Sequence, residues 1–127
     1  MAKKASVVFG VVFLLVGLLG FVSNPIVGES SLFHTDLMHN VVHLLSGAVL
    51  LYAGLKTSAA ALTLKVFGIV YLLVAVLGLL AIGESGMGIV LGFIEVNSAD
   101  NWLHVLLGII ILLAGLSDDS QIAVQIN

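Results

Sequence analysis

The sequence predicts an all-α protein: an integral membrane four-helix bundle built from two parallel helical-hairpin repeats. Three observations carry that prediction. Of the 127 residues, 61% are hydrophobic and 9% are charged, and mean hydropathy is +1.27, whereas soluble domains run at roughly 45–50% apolar and about 25% charged. Four apolar runs, approximately 5–22, 37–55, 64–82 and 99–116, each approach the ~20 residues that cross a hydrocarbon core of about 30 Å. The second and fourth runs also repeat one another.

The first run follows "MAKK" but is longer than the ~7–15 residue apolar stretch of a signal peptide, so it is expected to be a helix of the mature protein. Pro25, the only proline, is expected to close that helix off through its fixed φ and missing N–H. Asp36 or Thr35, and Asn97 or Ser98, stand where N-caps of the second and fourth helices belong. Between the third and fourth runs, "GMGIVLGFIEV" is apolar and glycine-rich, and is expected to lie flat at the interface or to form a short re-entrant segment. The tail "SDDSQIAVQIN" is expected to be mobile. The whole chain, 1–127, is then one transmembrane domain with repeats of approximately 5–55 and 64–116.

Charge orients the bundle. The only basic residues, Lys3, Lys4, Lys56 and Lys65, fall on one side of four antiparallel spans, which the positive-inside rule makes cytoplasmic together with both termini. The outer side collects Glu29, Asp36, Glu84, Glu95 and Asp100 with all four histidines, His34, His39, His43 and His104. His34 falls in a loop and is expected to be exposed, and Trp102 marks the interface.

Composition also excludes function classes. A net charge of −3 without a basic cluster gives nucleic acid no footing. With no cysteine there is no disulfide framework, thiolate site or cysteine nucleophile. No serine nucleophile elbow or phosphate-cradling glycine loop is present, and the two "GES" triplets read as turns. The middle and cytoplasmic halves of the helices are apolar, which argues against conduction. The protein is expected not to be an enzyme.

Aligning Asn40 with Asn101 matches Asn40/Asn101, His43/His104, Leu45/Leu106, Gly47/Gly108, Leu51/Leu112, Ala53/Ala114, Gly54/Gly115 and Leu55/Leu116. The first and third runs echo each other through Phe9, Gly10, Phe13 and Gly20 against Phe67, Gly68, Tyr71 and Gly78. Two hairpins of the same orientation are expected to be related by an axis along the membrane normal. Small residues recur seven apart in every helix, as Gly10/Gly17, Gly47/Gly54, Gly68/Ala75 and Gly108/Gly115. Lipid offers no hydrophobic drive for helix association, so close approach at small residues has to supply the packing. Extended by steps of three and four, the stripes run from Gly54 through Gly47 and His43 to Asn40 and Asp36, and from Gly115 through Gly108 and His104 to Asn101 and Asn97. The polar residues are therefore expected inside the bundle, at its outer end.

The candidate site is the cluster Asp36, His39, Asn40, His43, Asp100, Asn101 and His104. Residues three and four apart are neighbours on a helix face, so each helix can present two ligands at once. His39, His43, Asp100 and His104 make three imidazoles and a carboxylate, a set suited to a divalent metal such as Zn²⁺ or Cu²⁺. His43 and His104 alone could instead hold a haem-like tetrapyrrole from two sides. The third reading is structural, with each histidine hydrogen-bonded to an asparagine or a loop carbonyl and tying two helices together.

"HNVVHLLSG" and "SADNWLHVLLG", each opening the second helix of a hairpin, resemble the small four-helix prokaryotic membrane proteins of domain-of-unknown-function family 4383. The resemblance covers nearly the whole chain and rests on the paired Asn-x-x-His-x-x-x-Gly motif: Asn40, His43 and Gly47, then Asn101, His104 and Gly108. It implies the fold and no activity. The expected function is that of a non-enzymatic scaffold or accessory subunit in the lipid bilayer, associating with itself or with a larger membrane complex. The alternative is a metal- or tetrapyrrole-binding protein using the outer cluster.

Overall fold

In the computed structural model, the described residues are 1–83 and 85–126, with side chains up to Ser117. Glu84, expected on the outer side, lies outside them. Helix α1 covers Ala2–Leu19, α2 Leu37–Lys56, α3 Ala60–Ala81 and α4 Ser98–Ile126, and two short strands, β1 (Met87–Val90) and β2 (Ile94–Asn97), lie between α3 and α4. All four helices are long and apolar enough to cross a membrane, the fourth over Ser98–Ser117. The tail expected to be mobile continues α4 to Ile126.

Glycine decides how the helices pair. A Cβ at Gly10 would stand 2.6 Å from the backbone nitrogen of Leu51, and one at Gly68 2.6 Å from that of Leu112. Gly47 lies against Leu14 and Gly10, and Gly108 against Leu72; Gly54 meets Val7 and Lys3, and Gly115 meets Lys65 and Ala61. The contacts of Gly10 with Leu51, Gly47 with Leu14, and Gly54 with Val7 and Lys3 have α3–α4 counterparts, shifted by 58 positions in the first helix (68 − 10) and by 61 in the second (112 − 51). Backbones this close give dispersion contacts that bulky side chains would forbid.

Gly17 and Ala75, expected to act alike as small packing residues, are both buried but differ in what the site demands. A Cβ at Gly17 would stand 2.9 Å from the side chain of Leu44 and 3.0 Å from the carbonyl oxygen of Asn40. Its counterpart Ala75 carries that methyl with no exposed surface at all. The position equivalent to Leu44 is the shorter Val105 (44 + 61), so the second hairpin keeps a methyl where the first requires glycine.

The two hairpins meet along equivalent residues. Ala2 with Ala60, Ser6 with Leu64, Phe13 with Tyr71 and Leu50 with Ile111 are all buried and make up most of the core between them. Phe13 and Tyr71 stack at 5.0 Å with 14° between their planes. Ser6, too polar for this depth unaided, donates its hydroxyl to the carbonyl of Leu50 at 2.6 Å.

The ends of the elements depart from expectation where local hydrogen bonding outweighs hydropathy. Helix α1 stops at Leu19 rather than near residue 22, and Asn24 rather than Pro25 organises the exit. The Asn24 amide donates to the carbonyls of Leu19, Val22 and Val27, and its oxygen accepts from the N–H groups of Ile26 and Val27. The segment expected flat at the interface or re-entrant is a β-hairpin, with Met87 opposite Asn97 and Val90 opposite Ile94. Its turn uses positive φ at Leu91 (54°) and Gly92 (80°). Val90, Ile94 and Val96 form its buried face against Val42, while Glu95 between them is exposed. That alternation is how a half-buried strand satisfies its backbone and hides its apolar side chains at once.

Near the loops, α1 and α3 each carry a glycine that makes room for an asparagine. A Cβ at Gly20 would overlap the amide of Asn40, and one at Gly78 that of Asn101. Gly78→Ala is therefore expected to destabilise the bundle by about 1–3 kcal/mol through overpacking, and Asn101→Ala in the same chain should restore part of that loss. Gly47→Ala meets the backbone of Leu14 and has no such rescue. Thermal unfolding in detergent of the singles and the double checks both, with lipid-facing Leu73→Ile as the silent control.

Candidate metal centre

Two caps set the phase of the helices that carry the site. Asp36 accepts from the backbone N–H of His39 at 2.7 Å at the start of α2, and Asn97 accepts from that of Asp100 at 2.9 Å at the start of α4. From there one turn separates His39 from His43, and one turn separates Asp100 from His104. The glycine contacts turn both faces inward, so all four side chains are buried, at 5% exposure or less. Asp36, placed in the cluster by the sequence, commits one carboxylate oxygen to its cap.

Three imidazoles meet there. The ring of His39 stacks 4.8 Å from that of His43 and 5.5 Å from that of His104, and the last two stack at 6.0 Å with 9° between their planes. One ring nitrogen from each lies within 4.8 Å of the others. Asp100 Oδ2 lies 3.2 Å from His104 Nδ1 and 3.9 Å from His39 Nε2. Tyr71 closes the cluster, its ring 5.2 Å from that of His104 and its hydroxyl 3.5 Å from His43 Nδ1.

The partners on the Nδ1 edges fix what the rings can offer. His39 Nδ1 is 3.0 Å from the carbonyl oxygen of Glu95, which can only accept, so that nitrogen carries the proton and a neutral ring keeps its lone pair on Nε2. The same edge of His43 faces Tyr71, and that of His104 faces Asp100. Oxygen on one imidazole nitrogen, leaving the other free, is how proteins orient histidine for a metal.

Some polar atoms remain unsatisfied. Asp100 Oδ2 and His104 Nδ1 are close as an ion pair yet misaligned as a hydrogen bond, so both lack a hydrogen-bond partner, as do Thr35 Oγ1, Asn40 Oδ1 and both amide atoms of Asn101. Buried polar groups without partners are rare in folded proteins and call for an ion, a water or a ligand.

Of the two partners expected for the histidines, an asparagine or a loop carbonyl, the structure supplies a carbonyl, that of Glu95, to His39, while Asn40 and Asn101 lie against Gly20 and Gly78 on the neighbouring helices. One expectation is corrected. His34, expected to be exposed, is buried, because the first loop folds back through the Val27–Phe33 bridge and seats its ring between two oxygens. Nδ1 of His34 donates to the Glu29 carbonyl at 2.7 Å, and Nε2 is 2.8 Å from the Glu95 carboxylate.

Tyr71, Thr35 and the Glu95 carbonyl are site groups that the motif search does not single out. Tyr71 had a signal, since it breaks the repeat where Phe13 stands in the first hairpin. A backbone carbonyl has none.

The comparison with known families agrees with the family resemblance of the sequence. The chain belongs to the family described as Domain of unknown function (DUF4383), whose model matches residues 3–117. That match takes in all four spans and every residue of the cluster. Neither the curated proteins nor the solved structures provide a match to this DUF4383 chain.

The β-hairpin and the first loop together cap the cluster. Asn97 donates its amide to the Leu32 carbonyl at 3.0 Å, and Glu95 reaches His34 with its side chain and His39 with its backbone. The double variant His34→Ala/Asn97→Ala is expected to speed amide hydrogen exchange across 87–97, leaving protection in the middle of the four helices unchanged. Exchange measured by mass spectrometry in detergent checks it.

Proposed function

We propose that this multi-pass membrane protein binds one divalent transition-metal ion, Zn²⁺ or Cu²⁺, through His39, His43 and His104. Asp100 lies against the Nδ1 edge of His104, 3.2 Å away, and adds a negative charge beside the three rings. The observation that supports this is the convergence of three buried imidazoles, one ring nitrogen of each lying within 4.8 Å of the others. A set already within 4.8 Å reaches a shared ion, at about 2.0–2.1 Å from each nitrogen, by small ring rotations. Imidazole and carboxylate suit zinc and copper better than calcium or magnesium, which prefer all-oxygen shells.

Two other readings lose support. A tetrapyrrole held between His43 and His104 would need the space that the rings of His39, Phe13 and Tyr71 fill. A scaffold would need a stripe of small residues left over after the bundle has packed, but each glycine within the four helices is taken up inside its own hairpin. The proposal assigns binding and no catalysis. In this reading the site and both loops face away from the cytoplasm, which the grouping of the lysines at the opposite end supports through the positive-inside rule.

Elemental analysis of protein purified in mild detergent tests the reading, with His43→Ala/His104→Ala alongside. Near-stoichiometric zinc or copper in the wild type, lost in the double variant, is the expected result. Substoichiometric metal in both would overturn it.

A further inference from the structure

A cavity of about 240 Å³ reaches the cluster from the side, between α1, the first loop and the start of α4. Its walls are apolar over most of their area, with Val16, Phe13, Phe33 and Leu107 among them. The polar and ionisable side chains among its lining are Thr35, His43, Asp100 and His104. Val12 and Ile26, which also line it, are exposed on the helix and loop surface, so access is from the lipid side.

The polar lining lacks partners of a definite kind. Thr35 is 1% exposed and Asp100 2%, and neither Thr35 Oγ1 nor Asp100 Oδ2 has a hydrogen-bond partner. A carboxylate oxygen accepts and a threonine hydroxyl can donate. One group answers both atoms: a hydroxyl that donates to Asp100 and accepts from Thr35. The rest of the cavity asks for an apolar body, and the two phenylalanine rings favour an aromatic one. Since a dry cavity of about 150 Å³ holds benzene, this one has room for a ring bearing a short alkyl substituent.

We propose that the cavity is a binding site for a small lipid-soluble phenol, its hydroxyl seated between Thr35 and Asp100 and its ring between Phe13, Phe33 and Leu107. The inference rests on the cavity and its unpartnered oxygens, not on metal binding. The ligand arrives through the bilayer, which concentrates such molecules.

Protein in lipid nanodiscs, stripped of metal and in a second sample loaded with zinc, is titrated with 4-propylphenol and with propylbenzene. Methyl NMR of Val16, Val27 and Leu107 reports occupancy, with outward-facing Leu73 as the control. Saturable shifts at the cavity methyls with the phenol, at least tenfold weaker with propylbenzene, are expected in both samples. Thr35→Val removes an unpartnered hydroxyl and keeps the shape, so the fold should hold while the phenol Kd rises about 3–10-fold. Leu107→Phe fills the cavity from an apolar wall and should abolish the shifts. Linear, unsaturated shifts that are equal for the two probes, or a Kd unmoved by Thr35→Val, would overturn the proposal. So would phenol binding confined to the zinc-loaded sample, which would make the hydroxyl a metal ligand.

Discussion

Lipid cannot hydrogen-bond, so each polar group carried into the membrane has to find its partner inside the protein. The rest of the structure depends on that constraint. This chain carries three histidines, two asparagines and an aspartate into one end of the bundle, and each is turned inward. The glycine contacts make that possible, because backbones in near contact bring α2 and α4 into the phase at which those side chains converge. The β-hairpin completes the arrangement by supplying the Glu95 carbonyl to His39 and covering the end of the cluster.

Equivalence between the hairpins, and its failure, separates scaffold from site. Glycine against backbone, asparagine against glycine and aromatic against histidine occur in both hairpins at matching offsets. Among the rings and carboxylate of the cluster the match breaks where His39 stands in place of the second hairpin's Asp100, and Phe13 in place of its Tyr71. The replacements meet around His43 and His104, giving three imidazoles, a carboxylate and a phenol in place of a symmetric pair.

The sequence made the spans, the glycine stripes and the inward face of the polar residues legible, because all three follow from helical periodicity, which survives without knowledge of neighbours. Gly17 and Ala75 were legible as buried packing positions by that same period, but the side chain each one must clear belongs to another helix. Asp36 and Asn97 were legible as caps because capping is local. The β-hairpin was obscured by its glycines and overall apolarity, although Ile94, Glu95, Val96 and Asn97 alternate as a strand does. The burial of His34 and the Glu95 carbonyl on His39 join residues 61 and 56 positions apart. No local pattern announces contacts of that kind. The surroundings of the asparagines were not legible, because the cradles at Gly20 and Gly78 exist only once the helices pair.

The central claim is that His39, His43 and His104 hold one ion together. Zinc K-edge X-ray absorption on the zinc-loaded protein in nanodiscs tests it most directly. The account predicts a first shell containing three imidazole nitrogens at about 2.0–2.1 Å, falling to two in His39→Ala. A shell of oxygen neighbours without imidazole scattering, or one unchanged by His39→Ala, would contradict it.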